Sequence, residues 1–270
     1  MKNKLFIIFF IFIIFKNASA NAEQFTFEVK ELNIVNNGNL IIANNGVALS
    51  KDNNIKIDGL KFEYDKSLKI LKSSKSKTFI YSKNLEIYSD KIKYDEIKSI
   101  FIAEGNVKIQ NTIKNIQINS EKILYDLKNE LFKSDSHTTI RDKFDNTFTT
   151  DEFEYNLNSE IVKIKNLSLE DIDKNKYKID LAYINFNKNK LIGKDIEINL
   201  NNTSFNKNNE PRLKGKSIFI DTTNNIELSQ NTELSKAVFT LCKKNENCPP
   251  WQISAKKIIH DKKKKNYKLF

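Results

Sequence analysis

A four-residue phrase recurs through the chain at a nearly constant interval: an apolar residue, any residue, an aromatic residue, then Asp or Asn. Consecutive copies are 30 or 31 residues apart, and their aromatic residues are Tyr64, Tyr94, Tyr125, Tyr155 and Phe186. Two looser copies follow at residues 218–221 and 258–261. A fixed period of this size is typical of stacked repeat architectures, in which each unit packs against its neighbours.

Within the repeats, apolar and polar residues alternate, as in Phe-Thr-Phe-Glu-Val at residues 25–29. This alternation predicts half-buried β-strands. Each repeat is interpreted as a strand ending in the phrase, a polar turn, and a second strand. The Asp or Asn suits the turn because its side chain can accept a hydrogen bond from the backbone two residues on. A second short turn is predicted at residues 104–106, where Gly105 permits a positive φ.

A single unit of this kind has one apolar face and two open edges, so it needs stacked neighbours to bury that face. The sequence therefore predicts an all-β fold in which two facing antiparallel sheets enclose an apolar interior. Periodicity does not show whether the sheets part into a groove, and most residues of the predicted interior column are interpreted as core. The column consists of Phe62, Tyr64, Ile92, Tyr94, Ile123, Tyr125, Phe153, Tyr155, Ile184, Phe186, Ile218, Ile220 and Ile258.

The N-terminal residues have the pattern of a secretory signal peptide. Lys2 and Lys4 precede an apolar run at residues 5–15, and the small residues Ala-Ser-Ala follow at 18–20. The run is too short for the ~20 residues that span a bilayer, which disfavours an uncleaved anchor. We therefore predict a cleaved signal peptide at residues 1–20, a β-domain at 21–236, and a junction with a shortened last repeat at 237–270. Export would place the mature chain where disulfides persist.

The formal net charge of +11 comes almost entirely from lysine, since Arg141 and Arg212 are the only arginines. Bidentate contacts to phosphates and base edges depend largely on arginine, which argues against nucleic acid as a partner. The lysine excess is consistent either with a compositional bias or with a selected basic surface.

No catalytic or metal-binding pattern stands out. The Gly-Lys-Ser at residues 215–217 resembles the end of a phosphate-binding loop, but Glu210 occupies the earlier glycine position and the segment is predicted to be a strand. His137 and His260 are far apart, and His260 occupies the aromatic slot of its repeat, which favours a packed or edge histidine. The Cys-x5-Cys spacing is wide for a zinc knuckle. No enzymatic activity, cofactor or metal is expected.

Two stretches resemble a known family. Residues 103–109 (Ala-Glu-Gly-Asn-Val-Lys-Ile), followed by 120–126 (Ser-Glu-Lys-Ile-Leu-Tyr-Asp), resemble repeats of the OstA-like periplasmic domain of lipopolysaccharide-transport proteins. Residues 239–242 (Phe-Thr-Leu-Cys), 248–255 (Cys-Pro-Pro-Trp-Gln-Ile-Ser-Ala) and 260–261 (His-Asp) are similar to the junction before the barrel in the outer-membrane lipopolysaccharide-assembly family. Together the resemblance covers the mature chain.

The resemblance implies a β-jelly roll whose apolar groove shields the acyl chains of lipid A and continues a periplasmic bridge. It also implies lipopolysaccharide as ligand, a homologous periplasmic bridge protein that docks by edge-strand addition, and an outer-membrane lipoprotein and barrel as partners of a full-length protein. The barrel of the relatives has no counterpart here, so a fragment or split product at the periplasm or outer membrane is expected. The alternatives are a free-standing bridge protein and a structural or adhesive β-solenoid.

The two cysteines allow two pairings. Export favours oxidation, and a Cys242–Cys248 disulfide would close a small loop and stabilise the fold by about 2 kcal/mol in the chain-entropy model. The resemblance offers the other pairing, because cysteines at this junction in relatives can bond to the barrel. We favour Cys242–Cys248, since the chain contains no other cysteine.

Overall fold

The computed structural model describes residues 25–50, 54–111, 113, 115–141, 147–171, 174–185, 187–188, 190–201, 209–221, 231–242, 251–261 and 266–270. These residues form strands joined by turns, with one 3-10 turn at Tyr81–Lys83. The strands are β1 (Phe25–Val35), β2 (Leu40–Ser50), β3 (Ile55–Asp65), β4 (Ile70–Ile80), β5 (Leu85–Asp95), β6 (Ile100–Asn111), β7 (Ile116–Asp126), β8 (Leu131–Ser134), β9 (Thr138–Arg141), β10 (Thr147–Thr150), β11 (Glu152–Asn156), β12 (Ile161–Glu170), β13 (Lys176–Asn185), β14 (Lys190–Asn199), β15 (Arg212–Asp221), β16 (Asn231–Thr240), β17 (Ile253–Asp261) and β18 (Asn266–Leu269).

All strands belong to one antiparallel sheet, in which the long strands pair with their neighbours along the chain from β1 to β7 and from β12 to β17. The short strands β8 and β9 share one position beside β7, and β10 and β11 share the next one beside β12. The all-β prediction is confirmed. The two facing layers, however, are two halves of one continuous sheet rather than separate sheets.

Contacts between distant ends of the strands show that this sheet is folded over on itself. Phe25 pairs with Ser50 at one end of β2, and Tyr64 pairs with Ile41 near the other end. Nine residues of extended strand span ~30 Å. The rings of Phe25 and Tyr64 nevertheless lie 5.7 Å apart. The two ends of the strands therefore face each other across the interior.

The fold line lies at the middle of the long strands. In most of them the buried residues change parity there, whereas β6 has a bulge and keeps its parity. In β3 the buried positions are Ile55 and Ile57 before the middle, and Phe62 and Tyr64 after it. A regular strand keeps every second residue on one face, so this change requires a local distortion. Six long strands place a residue of positive φ there: Asn45, Lys75, Asn106, Asn166, Asp195 and Lys236. We call these positions the corner.

The corner divides the sheet into two halves. The turn-side half contains the strand halves joined by four-residue turns such as 66–69 and 127–130, and the loop-side half contains those joined by loops such as 81–84. The predicted turn chemistry is confirmed. The Asp65 carboxylate accepts hydrogen bonds from the backbone N–H groups of Ser67 and Leu68, both at 2.9 Å. Asp126 accepts one from Asn129 at 3.0 Å.

The turn predicted at residues 104–106 is wrong. β6 runs without interruption from Ile100 to Asn111, and the segment is its corner. Gly105 (φ +76°) and Asn106 (φ 49°) form a bulge there, and the Asn106 side-chain amide donates to the Asp90 carboxylate at 2.7 Å. Glycine and asparagine adopt positive φ in a bulge as readily as in a turn.

The predicted signal peptide at residues 1–20 lies outside the described residues. The predicted boundary between residues 236 and 237 falls inside β16, which pairs with β15 and β17. In the part of the chain that the structure describes, no helix is long and apolar enough to cross a membrane.

Candidate functional site

The predicted interior column lies on the inner face of the turn-side half. Its described members occupy two adjacent rows of the register, one passing through Tyr64, Tyr94 and Tyr125, the other through Phe62, Ile92 and Ile123. All twelve are buried, with at most 6% of any side chain exposed. Phe186 lies outside the described residues. The repeat phrase therefore identifies one wall of the interior.

The opposite wall comes from the loop-side half, and sequence reasoning missed it. Its buried residues include Ile57, Ile87, Ile109, Ile118 and Leu169. They lie on the far side of the corner from the repeat phrase, and the change of parity hides them from a single alternating pattern. The walls are also offset along the stack, since Phe25 of β1 packs edge-on against Tyr64 of β3 and Tyr94 of β5.

The side chains that the structure describes on the two walls are closely packed and buried. One apolar cavity of about 20 Å³ lies between the two walls, where Ile118, Ile140 and Phe148 of the loop-side half face Phe153 and Ile184 of the turn-side half. A space of this size has room for about one water molecule, so it does not admit an acyl chain. The conformation described here is therefore closed, and the side chains of the predicted groove pack as a core.

The ionisation of the interior tyrosines reflects this apolar medium. Burial raises the pKa of Tyr155 to about 12 and that of Tyr267 to about 12. It also raises the pKa of Tyr125, to which the nearby carboxylate of Glu130 contributes. Burial has this effect because a low-dielectric environment disfavours the phenolate.

The turns and loops that the structure describes lie on the side of the folded sheet opposite the corner, and we call this side the mouth. Lys83 of loop 81–84 forms an ion pair with Glu130 of turn 127–130 across it. Just inside, Ile116, Leu127 and Leu157 are partly buried against the core. Several apolar side chains on the rims are exposed, namely Leu68 and Ile97 on turns, and Tyr81 and Ile113 on loops. The mouth thus has exposed apolar side chains along its rims, and the Lys83–Glu130 ion pair joins one rim to the other.

The two ends of the stack leave different walls uncovered. In β1, Leu32 and Ile34 pair with Ala43 and Ile41 and share their inward orientation, yet both are exposed. At the other end, Ile253 of β17 lies opposite Phe239 on the loop-side half and is also exposed. Among the described strands, β1 and β18 each pair on one side only.

The junction segment forms an aromatic cluster at the C-terminal end. Phe239 packs edge-on against Trp251 and stacks on Tyr267, which in turn stacks on His260 with 4.3 Å between ring centroids. Cys242 is a buried free thiol whose S–H points at the Trp251 carbonyl oxygen, 3.6 Å away. Cys248 lies outside the described residues, so the disulfide stays a prediction.

Candidate chemistry elsewhere is sparse. Residues 215–217 lie in β15, as the sequence interpretation predicted. His137 is exposed and lies 3.7 Å from the Asp151 carboxylate. Within the described ranges, no group of three or more His, Cys, Asp or Glu side chains is placed to hold a metal ion.

Comparison with known proteins does not assign the chain. No protein-family model matches it, and no curated protein sequence is significantly similar to it.

Proposed function

We propose that this chain is a lipid-transfer conduit that shields the acyl chains of lipopolysaccharide during transport to the outer membrane. The observation that carries the proposal is the folded sheet itself, whose two apolar walls form one interior along the stack. The resemblance of residues 103–126 and of the cysteine- and tryptophan-containing junction to lipopolysaccharide-transport proteins supports the ligand class.

Shielding is the energetic requirement of such transport. Each methylene exposed to water costs about 0.8 kcal/mol, so an acyl chain of ~12 carbons costs about 10 kcal/mol. An apolar interior that runs along the stack removes this cost while the phosphorylated sugars remain in water. Nothing in the sequence binds a nucleotide by a recognised motif, so the work of transport would be supplied by a partner.

Because the interior is closed, transport requires the two walls to separate. We expect the walls to separate at the mouth. There the turns of one half lie opposite the loops of the other, and the Lys83–Glu130 ion pair joins the two. The exposed rim residues Leu68 and Ile97 would contact the acyl chains as they pass. Opening along the mouth leaves the hydrogen-bonded ladders and the corner intact.

The ends of the stack suit addition of similar domains. Among the strands that the structure describes, β1 and β18 pair on one side only, so their other edges can accept a further strand. The uncovered wall at β1 belongs to the turn-side half, and Ile253 near the other end belongs to the loop-side half. In a similar domain placed end to end, the uncovered loop-side wall of one domain would therefore pack on the uncovered turn-side wall of the next. This packing would extend the interior.

Photo-crosslinking in cells tests the proposal. A photoreactive amino acid at Phe153 or Ile184, both beside the interior cavity, should give a lipopolysaccharide adduct. Ile192, which is 55% exposed, is the control position and should give none. A well-folded protein that yields no adduct from either interior position would contradict the conduit.

A structural β-solenoid is the second candidate, favoured by the nearly filled interior. A solenoid needs a permanently closed core, whereas a conduit needs a core that opens. Hydrogen exchange separates them: added lipopolysaccharide should accelerate exchange in the turns and loops of a conduit and leave a solenoid unchanged.

A further inference from the structure

A concave surface lies on the outer face of the turn-side half, across β3 to β6. It encloses about 370 Å³, which falls within the range of small-molecule sites. One register row supplies Lys61, Ser74 and Lys91 side by side, and the neighbouring row supplies Lys72 and Lys93. Side chains in such rows project from the same face, so these ammonium groups surround one space.

Irregular strand pairing accounts for the concave shape. The register shifts between Tyr88 and Lys91 in the pairing of β5 with β6, and between Glu104 and Val107 in that of β6 with β7. Bulges bend the strand and increase its twist, which re-aims neighbouring side chains. The lysines at this place therefore converge on a hollow.

The positive charge of the hollow is only partly compensated. Glu63 is paired with Lys72 at 2.8 Å, and Glu104 with Lys122 at 2.8 Å. The Lys91 ammonium also acts electrostatically on Glu104. Among the described residues, Lys61, Lys91 and Lys93 form no ion pair within 4 Å.

We propose that this hollow binds a phosphate-bearing anion through Lys61, Lys91 and Lys93, with the Ser74 hydroxyl between the first two. Lysine suits such a ligand because its ammonium is a mobile point charge with three donors, which adapts to phosphate oxygens in several directions. Ile102 and the lysine stems line the rest of the hollow. The hollow lies on the outer face of the sheet, away from the apolar interior. This proposal therefore does not depend on the function proposed for the interior.

Two probes distinguish the possible sources of the phosphate. Inorganic pyrophosphate, titrated calorimetrically, represents a soluble anion, and phosphatidylcholine vesicles with or without phosphatidic acid represent a lipid headgroup. The native chain should bind at least one probe, more weakly at higher ionic strength. The probe that binds identifies the source.

A triple variant tests the residues. Lys61→Gln, Lys91→Gln and Lys93→Gln together should weaken binding by about tenfold or more, because charge-assisted hydrogen bonds are lost. The control replaces three exposed lysines away from the hollow, Lys128, Lys178 and Lys188, with Gln, and should leave affinity within about twofold because exposed charges at a distance are screened. Conversely, Glu63→Gln should tighten binding because it removes a carboxylate from the rim.

Three results would overturn the site: no binding of either probe, an equal loss in the control triple variant, or unchanged affinity in the triple variant of the hollow. Equal loss would mean that the anion responds only to the net charge of the chain. All the substituted lysines are exposed, so the thermal unfolding midpoints should match and make the affinities comparable.

Discussion

The Lys83 ammonium and the Glu130 carboxylate, 47 residues apart in the chain, form an ion pair that joins the loop-side and turn-side halves of one folded sheet. Each side chain is less than one-third exposed, so solvent screens the pair only in part. Between the described strands, no ladder of backbone hydrogen bonds crosses the mouth at this place. The ion pair is thus a contact that opening of the interior has to break.

Reversing one charge of this pair should loosen the mouth. We expect Lys83→Glu to lower the free energy of unfolding by about 1 kcal/mol and to increase binding of an apolar fluorescent dye, with recovery in the swapped variant Lys83→Glu/Glu130→Lys. Urea denaturation and dye titration measure the two effects. The matched control is Lys165→Glu, whose partner Glu152 lies 2.7 Å away on the outer face; its effect on dye binding should be negligible. Failure of the swap to restore stability would contradict this role.

Glycine is required at Gly46 and not at Gly215. A Cβ at Gly46 would lie 2.1 Å from the Glu28 carbonyl oxygen and 2.6 Å from the Val29 Cα, both backbone atoms of the paired strand. Gly46→Ala should therefore destabilise the fold by about 3 kcal/mol. At Gly215 the nearest atom is a Leu234 methyl group at 3.2 Å, so Gly215→Ala should cost under about 1 kcal/mol. Equal urea midpoints for the two variants would contradict the strand packing.

The turn after β7 should make stability depend on pH. Hydrogen bonds from the Asn129 side chain and backbone hold the pKa of Asp126 below its ordinary value of 3.8. Its contribution is therefore present above the unfolded-state pKa and is lost as the pH falls through the lower folded-state pKa. Asp126→Ala should cost about 1 kcal/mol at neutral pH.

Asp126→Asn is the matched control for this turn, because Asn156 already occupies the same slot and accepts the N–H of Ser159 at 2.9 Å. The Asp126→Asn variant should keep most of the free energy of unfolding and lose the part that depends on pH. Urea denaturation between neutral pH and about pH 3 measures both variants. A native-like acid response in Asp126→Asn would assign the pH dependence to other carboxylates.

Cys242 and Cys248 should form a disulfide in exported protein. Non-reducing peptide mapping is expected to recover the linked pair, and Cys248→Ser should lower the free energy of unfolding by about 2 kcal/mol under oxidising conditions and leave it unchanged under reducing conditions. Recovery of Cys242 as an alkylated free thiol would contradict the pairing and agree with the buried thiol described here.

The sequence predicts the turn-side half well because one physical signal dominates it. Each Tyr-Asp phrase combines an inward aromatic residue with a turn-forming carboxylate, and both functions repeat with the strand period. The loop-side half lacks such a marker. Its register depends on left-handed residues at the corner, and two of these are Lys75 and Lys236, a residue type that does not favour positive φ.

The lysine hollow was equally hidden from the sequence. Lys61 and Lys91 are separated by 30 residues and two strand positions, and only the register places Ser74 between them. Many other lysines have the same local sequence context, an alternating strand. What distinguishes these is the bulge beside them, and bulges depend on pairing between strands.

The offset between the two walls makes this molecule nearly one-dimensional. The aromatic and ionic contacts across the interior join strands only a few positions apart, as Phe25 with Tyr64 and Tyr94, and Lys83 with Glu130. Cooperativity should therefore decay along the stack, and folding can begin in any group of neighbouring strands and propagate in both directions. A duplicated repeat would lengthen the interior without altering its width. The length and the width of the interior can therefore change separately during evolution.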